Sequence, residues 1–248
     1  MVGNINLAQN GAAIEQWGFL ENTLKECAKV KLIEPEDQLP DMVFTANGAL
    51  IHNKKAIISR FKPKERQGES QYFKRWFEEN GFQVFEVPED MAFEGAGDAL
   101  FDRCQPKRLW AAYGFRSSKA SHEWIKNLLE VEVFSLELVD PRFYHLDTCF
   151  CPLDLGHIMY YSKAFSTASQ RLIQTQIGSE LLIDVSEEDA KNFSLNAVNV
   201  GTQIILGNAS EGLKDRLRLL GYQVKETPVP EFKKAGGATK CLTLQLGE

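Results

Sequence analysis

Long apolar runs are missing from this 248-residue chain: nothing approaches the roughly 20 residues that a membrane-spanning helix needs. A cationic and apolar leader is missing too, so no secretory signal is visible. Cysteine is scarce, with five residues and therefore an odd one. That excludes a disulfide framework in a chain this long and fits a reducing, cytoplasmic setting. There is no excess of basic charge. Lys and Arg number 28 against 34 Asp and Glu, for a net charge of -6, and the basic residues are scattered rather than striped. A nucleic-acid partner therefore has little support. Low-complexity tracts are absent, and no Gly-Lys-Ser/Thr run marks a phosphate loop.

What the chain does have is repetition. Five times an amphipathic helical stretch runs into a strand, a loop and a second apolar strand, at a period of roughly fifty residues. The helix-to-strand halves are Thr23–Pro35, Phe73–Pro88, His122–Leu138, Ser169–Val185 and Leu213–Pro228. The loop-to-strand halves read FTANGALI, FEGAGDALF, YHLDTCFCPL, SLNAVNVG and TKCLTLQL. Trp76 and Phe77, set among Lys74, Arg75, Glu78 and Glu79, give the clearest apolar stripe. Gly81-Phe82-Gln83-Val84 and Gly221-Tyr222-Gln223-Val224 are matching helix-stop and strand-start signals. Lys55–Ser59, Leu109–Ala112 and Gln203–Leu206 are short apolar runs expected to pair with the loop-borne strands. Pro63, Pro106, Pro141 and Pro230 fall in expected connectors. Met1–Gly11 carries no comparable strand, so the first unit is expected to be incomplete. A closed ring of five units would aim the loops at one centre, bringing together Asn47, Glu94, His145 and Cys241 from four of them.

Each of these residues has a bland reading beside a chemical one. Cys241 follows Ala235-Gly236-Gly237-Ala238-Thr239-Lys240. Small residues let backbone N–H groups approach a ligand, and Lys240 would favour a thiolate, so Cys241 reads as a nucleophile or as a buried strand cysteine. His145 and Asp147 form a His-x-Asp pair on one face of an extended segment. That suits proton transfer beside a bound cation, or a histidine merely satisfied by its neighbour. Glu94 and Asp98 flank Gly95-Ala96-Gly97, a flexible acidic turn that would bind cationic groups or be a plain turn. Asp41 and Asn47 bracket another such loop. Arg66 and Arg116 lie in polar, Gly-containing connectors, where they would bind a carboxylate or simply face solvent. His52, His122 and His157 read as structural or solvent-facing. Cys149 and Cys151 have strand spacing but no second Cys/His pair to complete a zinc site.

Together, LPDMVFTAN, FEGAGDAL, DPRFYHLDTCFCPLD and GGATKCLTLQL resemble the amidinotransferase, or pentein, superfamily, in the right order and over nearly the whole chain. Within it the chain looks most like bacterial arginine dihydrolases, and less like arginine deiminase and dimethylarginine dimethylaminohydrolase. The resemblance implies one domain over residues 1–248, an α/β five-bladed propeller around a polar centre. It implies that Cys241 attacks a guanidinium carbon and forms a covalent thiouronium. His145 acts as acid and then base, and Glu94 orients either His145 or the guanidinium. Asp147 binds guanidinium nitrogens, Arg66 and Arg116 bind the amino-acid carboxylate, and Asp41 and Asp98 shape the site. No metal or organic cofactor is implied.

Deiminases place an aspartate where this chain has Asn47, whereas asparagine is expected of the dihydrolase branch, with two hydrolyses giving ornithine, ammonia and carbon dioxide. Relatives carry upstream residues, including an Asn-Pro-Trp run that contributes to the site, and some carry a cyclodeaminase-like region after the cysteine. A chain from Met1 to Glu248 is expected to lack both. The rival readings are a hydrolase ending at citrulline or acting on a methylated arginine, an amidinotransferase, and a non-catalytic propeller binding a macromolecule, a fold that the ribosome anti-association factor resembles without this enzyme site. The expected partner is a small guanidino compound, with no nucleic acid and no membrane. A homo-oligomer is the default expectation for a soluble enzyme.

Overall fold

Helix α1 (Asn10–Lys25) opens the computed structural model, which describes residues 10–105 and 107–247. Four sheets of one design follow. The first joins β1 (Ala49–His52), β2 (Lys55–Ile58) and, after helix α2 (Ser70–Glu79), β3 (Gln83–Glu86). The second starts from a short helix α3 (Gly95–Asp98) and contains β4 (Ala99–Phe101), β5 (Arg108–Tyr113) and, after α4 (Ala120–Leu129), β6 (Glu132–Glu137). The third contains β7 (Phe150–Pro152), β8 (Ile158–Tyr160) and, after α5 (Thr167–Gln176), β9 (Leu182–Asp184). Helix α6 (Glu187–Lys191) leads to the fourth, with β10 (Val198–Val200), β11 (Gln203–Leu206) and, after α7 (Glu211–Leu219), β12 (Gln223–Glu226); α8 (Pro230–Lys234) follows. In each sheet the first two strands are antiparallel and the middle strand pairs in parallel with the one that follows the helix. Parallel pairing demands such a crossover.

The sequence dictates these elements locally. On α2, Phe73 and Phe77 lie four residues apart and are buried, while Arg75, Glu78 and Glu79 are exposed. Gly81 and Gly221 end the turns after α2 and α7 with φ of 76° and 92°, a conformation that side chains with a Cβ resist. Serine hydroxyls cap three helices: Ser166 accepts from the Ser169 N–H, Ser186 from that of Asp189 and Ser210 from that of Leu213. The short apolar runs became β2, β5 and β11, each the middle strand of its sheet.

The apolar core lies between neighbouring units. One cluster, around Leu50, Ile57, Leu109 and Ile125, joins the first and second sheets. A larger one, around Trp110, Phe150, Ile173, Leu206 and Leu217, joins the second, third and fourth. Residues Leu20, Phe44, Ile205, Val229 and Leu242 form a fourth-sheet cluster with α1 and the chain's end. The polar loops before β1, β4, β7 and β10 are thereby left to meet one another.

Two expected half-units differ. Thr23–Pro35 and TKCLTLQL contain no strand: α1 ends at Lys25, residues 29–36 are irregular, and so are residues 243–247. Neither segment finds a ladder partner among the described residues, although Ile33, Leu244 and Leu246 pack against the Phe73 and Phe77 cluster. The strandless start expected of the first unit falls mainly on residues 1–9, which lie outside the described residues, as does the Pro106 connector. No described helix is long and apolar enough to cross a membrane.

His122 shows how a histidine serves packing here. Its Nε2–H donates to the Ala112 carbonyl at 3.2 Å and its Nδ1 meets Ser135 Oγ at 2.8 Å. A carbonyl only accepts, so Nε2 carries the proton of the neutral ring. Burial pulls its pKa down from 6.5 to about 4. The unfolded chain therefore takes up this proton first, and stability should fall as pH drops from 6.5 toward 4. Urea midpoints measured across that window should decline in the native chain and decline less steeply in His122→Gln. Equal slopes would remove His122 from the acid response.

Candidate active site

Five loops meet in a ring of contacts; Asn47, Glu94, Asp98, His145, Asp147 and Cys241 lie on it, while Arg66 and Arg116 bond to it from outside and Asp41 bonds to Arg66. Asn47, just before β1, packs against Gly97 of α3. Asp98 accepts from the Leu146 N–H at 3.2 Å, and Glu94 Oε2 holds His145 Nε2 at 2.7 Å, tying the second loop to the third. The third loop is tied to the fourth where Asn196 Nδ2 donates to the Asp147 carbonyl at 3.1 Å. Asn196 Oδ1 accepts the Cys241 N–H at 3.1 Å, and the Cys241 carbonyl accepts the Ala46 N–H at 3.1 Å, which closes the ring.

The Gly95-Ala96-Gly97 run is a buried helical turn, not the flexible turn expected. A Cβ on Gly97 would lie 2.1 Å from Asn47 Nδ2. Glycine stands there because two loops must touch.

Glu94 is completely buried and ionised. Burial pushes its pKa up, but His145, Arg116 and Arg66 outweigh it and hold it at about 2. Oε2 also accepts from Arg116 Nη1 at 3.0 Å, and Oε1 from the Lys62 N–H at 3.2 Å. Burial disfavours the His145 imidazolium, yet Asp98 and Glu94 outweigh that and raise its pKa above the ordinary value. Nε2 faces a carboxylate, so it carries a proton. Burial raises Asp98 to about 6, and its carboxyl also receives the Ser117 hydroxyl at 2.6 Å.

Cys241 is buried, and its thiol donates to Asp147 Oδ2 at 3.4 Å. Burial and the neighbouring Asp147 charge lift the thiol well above its usual range. Asp147 Oδ1 and Asn47 Nδ2 are buried without a hydrogen-bond partner among the described residues. One is an acceptor and the other a donor, and leaving either unpaired is costly. They suit a ligand that presents N–H groups and an acceptor. No group of three or more His, Cys, Asp or Glu side chains among the described residues is arranged to hold a metal.

The two arginines differ. Arg116 is partly exposed, stacks over Tyr144 with its guanidinium carbon 4.6 Å from the ring centroid, and donates to Glu94. Arg66 is buried and already engaged, contrary to the expectation that it awaits a carboxylate. Its fork closes on Glu69 with two bonds of 2.8 Å, Nη1 donates to Asn47 Oδ1 at 2.9 Å, and Nη2 to the Asp41 carbonyl at 3.1 Å. Glu69 decides this: three residues along the same turn, it fits the guanidinium bidentately. Asp41 thus contributes its backbone to Arg66, while burial raises its carboxyl pKa. Sequence reasoning missed Glu69 and Asn196. Asn196 had a signal: SLNAVNVG was the one loop assigned no chemistry, and its asparagine precedes the strand by two residues, as Asn47 does.

Removing one partner of a buried ion pair strands the other charge, at about 3–5 kcal/mol. Glu69→Gln should lower unfolding stability by about that amount, read by chemical denaturation. A loss under ~1 kcal/mol, the size of a surface pair, would mean that Arg66 is solvated in solution.

A model of the family described as "N,N dimethylarginine dimethylhydrolase, eukaryotic" matches residues 3–247. The chain is 55% identical over 248 residues to the bifunctional arginine dihydrolase/ornithine cyclodeaminase ArgZ of Synechocystis sp., covering 100% of this chain and 35% of that protein. It is 40% identical over 232 residues to the N(G),N(G)-dimethylarginine dimethylaminohydrolase of Mycobacterium tuberculosis, covering 93% of this chain and 74% of that one. The substrate-bound crystal structure of the N-terminal domain of ArgZ, an arginine dihydrolase from the ornithine-ammonia cycle in Cyanobacteria, superposes with a TM-score of 0.96. Identity there is 54%, over 97% of this chain and 89% of that one. The α/β fold is like that of this domain. The chain spans about a third of the length of ArgZ itself.

Proposed function

Because the chain belongs to the N,N-dimethylarginine dimethylhydrolase family, we propose that it is a cysteine-dependent hydrolase of the guanidino group of arginine. In this reading residues 1–248 form one domain, a five-unit pentein propeller. The fifth unit is made by α1, residues 29–36 and the segment after Cys241. The observation that carries the reading is the meeting of a thiol, an acid–base histidine and an ionised carboxylate beside the two unpartnered polar atoms of Asn47 and Asp147.

The chemistry follows from the charges. A guanidinium is a cation with N–H groups in a plane, and Asp147 Oδ1 is a buried acceptor for one of them. The arriving cation offsets the Asp147 charge that keeps Cys241 protonated, and so favours the thiolate. The thiol gives its proton to water, and the sulfur adds as thiolate to the guanidinium carbon. His145, protonated against Glu94, gives its proton to a departing amine, and ammonia leaves a thiouronium. His145 then takes a proton from water, which attacks the same carbon and expels the thiolate, leaving citrulline. A second addition of Cys241 to the ureido carbon, followed by water, gives ornithine, carbon dioxide and a second ammonia. Two waters are consumed for each arginine. Arg116 is assigned to the amino-acid carboxylate and Arg66 to holding Asn47. The neutral amide of Asn47, its oxygen held by Arg66 and its Nδ2 donor unpaired, suits the carbonyl oxygen of the neutral ureido intermediate. The 55% identity to a bifunctional arginine dihydrolase/ornithine cyclodeaminase supports arginine and the double hydrolysis. The 40% identity to a dimethylarginine dimethylaminohydrolase makes methylated arginine the second substrate to try.

Mass spectrometry after incubation with arginine should detect ornithine and two ammonia per arginine consumed, and neither with Cys241→Ala. Citrulline as the end product would keep the cysteine mechanism and overturn the second hydrolysis. Turnover of dimethylarginine alone would overturn the substrate. Undiminished turnover by Cys241→Ala would overturn the mechanism.

A further inference from the structure

The loop before β10 is the one that the proposed chemistry leaves idle, yet its Asn196 is completely buried and touches the reacting sulfur. Nδ2 lies 3.1 Å from Cys241 Sγ and 3.1 Å from the Asp147 carbonyl oxygen, and Oδ1 accepts the Cys241 N–H at 3.1 Å. The Asn196 carbonyl also accepts the Lys240 N–H at 3.1 Å. The amide has only one workable orientation. A backbone N–H can only donate, so the atom facing Cys241 N must be the oxygen; a backbone carbonyl can only accept, so the atom facing Asp147 O must be the nitrogen. The second hydrogen of that nitrogen is then left for the sulfur. Two backbone groups thus fix a donor on Sγ whatever the sulfur's protonation state.

The sulfur sits between opposed partners. Asp147 Oδ2 accepts from the thiol and favours the protonated form, while Asn196 Nδ2 donates to sulfur and favours the anion. Sulfur carries negative charge twice in each hydrolysis, before it attacks carbon and when water expels it.

Resting on the cysteine-nucleophile reading, we infer that Asn196 is a catalytic residue whose side-chain N–H stabilises the Cys241 thiolate as nucleophile and as leaving group. It also holds the cysteine backbone and the Asp147 backbone in register. The donor comes from a different loop than either partner, so the arrangement exists only in the folded ring. In an anion-disfavouring pocket the bond is charge-assisted, the stronger kind.

The test uses the full chain with Cys27→Ser and Cys104→Ser, which removes the two more accessible thiols; Cys149 and Cys151 are buried. The rate of Cys241 alkylation by iodoacetamide is followed against pH, beside kcat and KM for arginine. Asn196→Asp keeps the acceptor for the Cys241 N–H and loses the amide donor; Asn196→Ala loses both. A hydrogen bond to a charged group corresponds to about one to two pH units and about 10–100-fold. Both variants should titrate the thiol higher by that amount and lose kcat by a similar factor, with KM changed less than about threefold. If either folds as the parent does and its thiol titration and kcat are unmoved, the inference fails. Should both misfold, the parent protein decides. The Asn196 side-chain amide protons, followed by 15N NMR, must shift with the Cys241 titration, and an amide blind to it overturns the inference. Turnover by Cys241→Ala would instead sink the nucleophile reading beneath it.

Discussion

The closed ring of loop contacts constrains everything else in this protein. Asn47 against Gly97, Glu94 with His145, Asp147 with Asn196, Asn196 with Cys241, and Cys241 with Ala46 join five segments far apart in sequence. Each contact is polar or sterically tight, and each involves a buried residue. Such contacts are weak organisers alone, because each gains little over water. They are costly to leave unmade once buried, so the apolar packing between sheets must bring all five loops to register together.

The short strands serve that end. The antiparallel strands that leave the loops are three or four residues long, so each loop stays close to the hairpin that carries it. The apolar mass sits between sheets, in the clusters around Leu109 and Ile125 and around Trp110 and Phe150. The hub is therefore free to be polar without weakening the core. Two sets of its charges compensate each other: Arg66 with Glu69, and Glu94 with His145 and Arg116. A buried carboxylate held at about 2 and a histidine held above its ordinary value form a ready proton donor.

Much of this was legible before any coordinates, because the repeat is written in hydrophobic period. In four of the five units the helical stripes, the Gly-Phe-Gln-Val and Gly-Tyr-Gln-Val stops and the short apolar runs became the elements they announce. The site residues were legible only jointly. Each was ambiguous alone, and the motifs gained meaning in their order. What could not be read were facts of three-dimensional contact. The Ile33 and Leu244 segments have strand-like composition, but strands need ladder partners, and sequence does not say whether one is near. The sequence leaves Arg66 free for a ligand's carboxylate, whereas in the fold Glu69, on the same turn, supplies one. Asn196 was passed over because a lone asparagine in an apolar loop carries no chemical pattern.

The two asparagines, each two residues before its strand, explain how similar units come to do different work. Asn196 spends its amide on the protein: both hydrogens and the oxygen are taken, and it holds Cys241. Asn47 spends only its oxygen, on Arg66, and keeps Nδ2 buried and unpaired. The difference lies in the neighbours. Beside Asn196 stand a backbone carbonyl and a sulfur, whereas beside Asn47 stands Gly97, which offers no side-chain atom and leaves room for none. A fold that tolerates a stranded donor at its centre carries a standing cost of about 1–3 kcal/mol. Natural interiors leave few such groups without a partner. One unit's amide thus ties the ring together, and the other's keeps an unpaired donor at its centre.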